Sequence, residues 1–194
     1  MGVFLFDCGE GTQLQLRRNR APFGKINTIL ISHMHGDHVF GLFGLFSTFA
    51  LLGLKHEITV IGPSEINPLI DFYKKHYGYT DMMPIAVVNP LPNEASLVLE
   101  TSNVNIHAVP LTHKTTCFAY VVAEKPLDLN LRKDALQKYN IPVRSIYGIK
   151  KGGDFTLENG SVIPNHQLTL LPYKPRKYAF VTDTVYKESM CHIL

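Results

Sequence analysis

An α/β sandwich with mixed sheets is the expected fold of this 194-residue chain. Three observations carry that expectation. Short apolar runs of strand character alternate with stretches of helical pattern. Turn-separated runs of hairpin type interrupt the alternation in the middle, which disfavours a doubly wound parallel sheet. Apolar runs also end on residues that carry chemistry, as in ISHMHGDH at 31–38.

The elements follow in order. Val3-Phe4-Leu5-Phe6 reads as a buried strand that stops at Asp7, and Gly9 and Gly11 make a turn. Thr12 is placed to cap a short helix bearing Leu14 and Leu16 and ending in Arg17 and Arg18. Residues 26–32 form a second strand. The stretch VFGLFGLFSTFALLGL at 39–54 is a helix; it is too short to span a membrane and is read as core. Residues 58–62 are a strand. Asn67-Pro68 is an N-cap with proline at the first helical position, and Gly78 ends that helix. Residues 97–100, 104–109 and 117–123 are strands, and 131–139 suits a short helix. Residues 140–165, rich in Gly, Pro, Lys and Asn, read as an arm or long hairpin. Residues 178–182 form a last buried strand that ends at Asp183.

Bulk composition narrows the class. A chain of this length suggests one domain, 1–194, large enough to bury a core without staples. Hydrophobic residues make up 45% and charged residues 18%, as in ordinary globular proteins. Three widely spaced cysteines, Cys8, Cys117 and Cys191, contain no CxxC pair and argue for a reducing, cytoplasmic setting over a disulfide framework. The start, MGVFLFDCGEG, lacks the basic region of a signal peptide. No membrane partner is expected. The net charge of +3 is mild. The clusters Arg17-Arg18-Asn19-Arg20, Lys74-Lys75, Lys150-Lys151 and Lys174-Pro175-Arg176-Lys177 read individually as solvated faces.

The chemistry concentrates in ISHMHGDH. In extended backbone, residues i and i+2 project to one side, so His33 and His35 can reach one metal ion. Gly36 lets the chain turn sharply. Asp37 and His38 then suit a second ion beside the first, in the manner of paired ions about 3.5–4 Å apart that clamp a displacement. Two ions need ligands from other strand ends. His113, in PLTHKTTCFAY, and Asp183, in FVTDT, are the candidates, and a carboxylate can bridge. His56, His76, His107, His166 and His192 read as surface or core residues. The donors are all nitrogen or oxygen. They fit zinc, and manganese, iron and cobalt also accept such ligands.

These motifs resemble a known family. HMHGDH is the signature of the metallo-β-lactamase fold. FDCGEGTQ at 6–13, HMHGDH with the following GLFGL, PLTH at 110–113 and VTDT together look like ribonuclease Z, the endonuclease that processes tRNA 3′ ends. The resemblance implies an αββα sandwich. It implies one zinc on His33, His35, His113 and Asp183, and a second on Asp37, His38 and the bridging Asp183. Asp37 would be the proton acceptor, and Asp7 a structural acid behind the ligands. The implied reaction is zinc-dependent cleavage of the 3′ trailer from precursor tRNA, leaving a tRNA 3′-hydroxyl and a trailer 5′-phosphate, by a homodimer.

The same resemblance assigns a protruding tRNA-binding arm within 125–165, where Arg144, Lys150 and Lys151, with Lys133, would meet phosphates. Arg144-Ser145 stands where the family has Gly-Pro. Family members also begin before FDCGEGTQ and continue past VTDT, where a proton-donor histidine and a last metal ligand lie. The expectation is therefore a partial domain with an incomplete second half, a weakened second metal site and slow or absent turnover. The alternatives are a hydrolase of small phosphodiesters on the same fold, or a non-catalytic remnant.

Overall fold

The computed structural model describes residues 2–77, 83–186 and 188. Gly78, Cys191 and His192 lie outside the described residues. The chain divides into two compact units, one of residues 1–123 with 177–194 and one of residues 124–176.

Apolar runs, mostly buried in the two central strands and half-buried at the edges, make the first sheet. Val3–Phe6 (β1) leads through Thr12–Arg18 (α1) to Ile26–Leu30 (β2). Gly36–Val39 (α2) and Leu42–Leu51 (α3) precede Ile58–Ile61 (β3), and Asn67–Tyr77 (α4) precedes Ile85–Val88 (β4). The four strands lie in the order β1-β2-β3-β4, and each pairing is parallel. A parallel sheet must be covered on both sides. Alternation along β2 shows how this is met. Ile29 packs with Leu42, Leu45, Phe46 and Phe49 of α3 and Ile70 and Tyr73 of α4. Its neighbour Leu30 faces the other way, into a second cluster with Ile106, Ala108, Phe118 and Tyr120.

That second cluster is the seam between two sheets. Ser96–Glu100 (β5), Val104–Pro110 (β6) and Phe118–Glu124 (β7) form the second sheet with the strand Lys177–Phe180. β5–β6 and β7–Lys177–Phe180 pair antiparallel. Tyr120, fully buried, donates its hydroxyl proton to the carbonyl oxygen of Ile31 at 2.7 Å, which ties the second sheet to the end of β2. The mixed α/β sandwich expected from the sequence is thus present, with one helical layer and both sheets in this unit.

Several local expectations change. The helix expected over 39–54 is two helices, because Phe40-Gly41 separates α2 from α3 and Asp37 and His38 lie on α2. Gly36 has no left-handed φ and opens α2 instead of making a sharp turn. Thr12 does not cap α1: Gly11, at φ 73°, is the N-cap, and the Thr12 hydroxyl donates to the Gly9 carbonyl at 2.8 Å. Asn67 is the first residue of α4 and its amide bonds the side chain of Asn89 at 3.0 Å.

The second unit, residues 124–176, has its own small core. Asn130–Leu131 (β8), Lys133–Lys138 (α5), Val143–Lys150 (α6), Phe155–Thr156 (β9), Val162–Ile163 (β10), Asn165–Leu168 (α7) and Thr169–Leu170 (β11) surround Ala135, Ile141, Ile149 and Leu168. The stretch 140–165 is therefore a helix followed by a tight hairpin, not one long hairpin. Asn165 ties it together, its amide donating to the carbonyls of Ile149 and Gly153, both at 2.7 Å. The ends of the unit meet, since the Glu124 amide donates to the Arg176 carbonyl at 2.9 Å.

Burial controls the thiols. It pushes Cys8 up to about 12 and Cys117 up to about 11. The thiolate is the reactive form, so neither should react with a disulfide reagent at about pH 8 until the chain unfolds. Thiol titration in buffer and in denaturant measures this. Rapid native labelling at either cysteine would contradict the burial.

Candidate metal centre

Parallel strands deliver their carboxyl ends to one edge, and the candidate residues begin there. β1 ends at Phe6, opposite Leu30 at the end of β2. Asp7 then takes φ 54°, a left-handed conformation that aspartate tolerates better than most residues. Its carboxylate reaches the neighbouring strand end. Oδ1 accepts from the Ser32 amide at 2.7 Å. Oδ2 accepts from the Ser32 hydroxyl at 2.9 Å and lies 2.6 Å from His38 Nδ1. Asp7 therefore joins Ser32 to His38.

FDCGEGTQ and HMHGDH pack backbone against backbone. The Cys8 amide donates to the His38 carbonyl, and the Gly41 amide to the Cys8 carbonyl, both at 2.8 Å. A Cβ on Gly9 would sit 2.1 Å from the Asp37 carbonyl oxygen, and one on Gly41 would sit 2.0 Å from the Gly9 oxygen. The two motifs are halves of one close contact.

His33 is fully buried, and its Nε2 lies 2.9 Å from His35 Nδ1. The His113 ring centroid is 5.1 Å from those of both His33 and His35. Asp183 Oδ2 lies 3.4 Å from His33 Nε2 and 3.7 Å from His38 Nε2, and His38 Nε2 is 3.4 Å from Asp37 Oδ2. His33, His35, His113 and Asp183 each offer one ligand atom, all within 4.8 Å of one another. Burial pushes the His33 imidazole below its ordinary range, and the neighbouring His38 and His35 rings act in the same direction. A histidine kept neutral is a histidine able to ligate.

The donor set fits a cation on a second ground. His113 Nε2 is buried and has no hydrogen-bond partner among the described residues. A buried, unpaired nitrogen is costly unless something meets it. A cation among three imidazoles and a carboxylate would do so, and the His/Asp cluster is compatible with metal binding.

Sequence reading overlooked the residues that brace this cluster. Ser32 bridges Asp7 and His33, its Oγ lying 3.0 Å from His33 Nδ1. The Thr184 hydroxyl accepts from the Thr112 amide at 3.3 Å, and Cys117 Sγ donates to the Asp183 carbonyl at 3.6 Å, so the segments bearing His113 and Asp183 are joined. The signal for Ser32 was its place between an apolar run and His33. Nothing in the spacing marked Thr184. His56 lies apart, its Nε2 3.1 Å from the Ile26 carbonyl oxygen.

The expected RNA contacts fall in the second unit. Arg144 is exposed and lines a cavity of about 600 Å³ with Tyr139, Asn140, Ser145, Phe155 and Glu158. Lys150, half-buried, ends α6. Lys151 donates to Asp128 Oδ1 at 2.7 Å, so it is already paired. Among the described residues, no helix is long and apolar enough to cross a membrane.

A family model described as "Anti-Pycsar protein Apyc1" matches residues 2–67, about a third of the chain. Proteins named Ribonuclease Z are similar over nearly all of it. That of Parabacteroides distasonis is 38% identical over 99% of this chain and 63% of its own length. That of Bacteroides thetaiotaomicron is 38% identical over 95% of this chain and 58% of its own length. That of Picosynechococcus sp. is 40% identical over 96% of this chain and 58% of its own length. The chain thus spans about 60% of the length of these relatives. The crystal structure of human tRNase Z, short form, superposes with a TM-score of 0.54 at 29% identity, covering 64% of this chain and 54% of that one. The likeness read from the motifs therefore extends across the chain and into its fold.

Proposed function

We propose that this chain carries the metal centre and part of the RNA grip of a ribonuclease Z-type endonuclease, which removes the 3′ trailer from precursor tRNA. One observation carries the reading. His33, His35, His113 and Asp183 converge within 4.8 Å in a chain similar along 95–99% of its length to proteins of that name.

The distances support two ligand groups. His33, His35, His113 and Asp183 would hold one zinc ion, and Asp37, His38 and Asp183 a second. When bound, such ions acidify water and neutralise charge on phosphoryl oxygens. The chain's own residues supply the rest. Asp37, with its side chain 79% exposed, faces the side from which a phosphodiester can approach. It orients the attacking water and accepts its proton. Asp7 keeps His38 aligned through the 2.6 Å contact. The P–O3′ bond breaks, leaving a 3′-hydroxyl on the tRNA and a 5′-phosphate on the trailer. We assign the second unit, residues 124–176, to gripping the tRNA body, with Arg144 and Lys150 as phosphate contacts. Lys151 serves less directly because Asp128 holds it. The free thiols of Cys8 and Cys117 are in keeping with the cytoplasm. The homodimer is carried over by likeness alone.

Cleavage of a 3′-extended tRNA precursor is the test, read with the protein in excess over RNA and with added zinc. A product ending at the mature 3′ side supports the proposal. Scattered cuts, or failure of the chain to bind zinc or the precursor, count against it. The grip is tested separately. Because Glu124 and Arg176 are bonded, residues 125–175 can be replaced by an Asn-Gly turn without breaking the strand pairing. Cleavage of the precursor should then fall at least about tenfold and lose salt dependence, while hydrolysis of a small chromogenic diester persists. Equal loss on both substrates would favour the small-diester reading.

A further inference from the structure

We propose that Ser32 is a positioning residue that fixes which nitrogen of His33 faces the metal centre. Through Ser32 for His33, and directly for His38, the one carboxylate of Asp7 sets the tautomer of a histidine in each ligand group. That these nitrogens bind a metal rests on the function proposed above; the tautomers themselves do not.

The assignment comes from counting protons. Ser32 is fully buried, and its hydroxyl carries one proton and two lone pairs. Its Oγ has two close partners, Asp7 Oδ2 at 2.9 Å and His33 Nδ1 at 3.0 Å. The carboxylate can only accept, so the hydroxyl proton goes to Asp7. His33 Nδ1 must then donate to Ser32 Oγ. The ring's other nitrogen, Nε2, is left with its lone pair, and it is the atom that lies 2.9 Å from His35 Nδ1 and 3.4 Å from Asp183 Oδ2. His38 follows the same rule with no intermediary. Its Nδ1 donates to Asp7 Oδ2 at 2.6 Å, and its Nε2 lone pair faces Asp37 and Asp183.

Ser32 can be altered without disturbing the frame. Its amide donates to Asp7 Oδ1 at 2.7 Å, and its carbonyl accepts from the Phe118 amide at 2.9 Å. Both bonds belong to the backbone of Ser32 and survive Ser32→Ala, which removes the hydroxyl link that runs from Asp7 Oδ2 to His33 Nδ1. Ser32→Thr keeps that link.

Nitrogen-15 NMR of the imidazole rings in the metal-free protein tests the proposal, together with zinc affinity by competition titration. In the unaltered protein and in Ser32→Thr, His33 and His38 should both be protonated at Nδ1. In Ser32→Ala, His33 should populate both tautomers while His38 stays as it was, and zinc affinity should fall about tenfold, as loss of an outer hydrogen bond does elsewhere. Protonation of His33 at Nε2 in the unaltered protein would overturn the proposal. So would an unchanged His33 with undiminished zinc affinity in Ser32→Ala, or a shift of His38 as large as that of His33. If the unaltered protein takes up no zinc, the functional reading fails, and the spectra still decide the role of Ser32.

Discussion

On the function proposed above, His33→Ala is expected to lower zinc affinity by more than about a hundredfold and to abolish cleavage of the precursor. Loss of a hydrogen-bond partner behind a ligand costs about ten- to a hundredfold elsewhere, and loss of a ligand itself should exceed that. His33 is the most central of the candidate ligands. It is wholly buried, and its ring lies 4.5 Å from that of His35, 4.1 Å from that of His38 and 5.1 Å from that of His113. Removing its ring opens space that water can enter, while Asp183 loses the imidazole nearest its carboxylate. Competition titration with a chromogenic chelator measures the affinity, and unfolding of the metal-free variant checks that the fold remains. A reduction of less than about tenfold would remove His33 from the ligand set.

The second large effect involves no titratable group. Gly9→Ala is expected to cost about 3 kcal/mol of stability, the upper part of the range for forced overpacking, and, on the function proposed above, to slow cleavage about a hundredfold. A Cβ there would lie 2.1 Å from the Asp37 carbonyl oxygen and 3.0 Å from its carbon, so the backbone bearing Asp37 has to move. Gly11→Ala is the control. It meets nothing within 4 Å, and its φ of 73° should cost only about 1 kcal/mol. Denaturant unfolding and single-turnover rates separate the two. Equal behaviour of the variants would mean that the contact between FDCGEGTQ and α2 does not govern the site.

The sequence made parts of this arrangement readable for physical reasons. Strand ends are local, so His33, His35, His113 and Asp183 could each be placed on a sheet edge from flanking apolar runs. Their convergence within 4.8 Å follows from topology that those runs imply. The split between α2 and α3 was not readable, because Phe40-Gly41 is apolar and the helical period continues through it. β4, at Ile85–Val88, was missed because it is short and lies between prolines. Helix α6 was missed because Gly and Lys dominate its surroundings, though Pro142 before Val143, Ile146 and Ile149 marked a helix start. The reach of Asp7 to Ser32 and His38 depends on a left-handed φ that no spacing records.

Asp183 lies just beyond Lys177–Phe180, and this strand stands at the end of its sheet, bonded to β7 alone among the described residues. Its residues are mostly exposed. A strand in that position frays readily and, once loose, leaves β7 as a template for pairing with other chains. The carboxylate that closes the ligand group therefore also sits where a bound cation would latch the outermost strand to the first sheet. On the function proposed above, metal starvation would then reach the fold as well as the chemistry, turning a paired sheet edge into a site of aggregation.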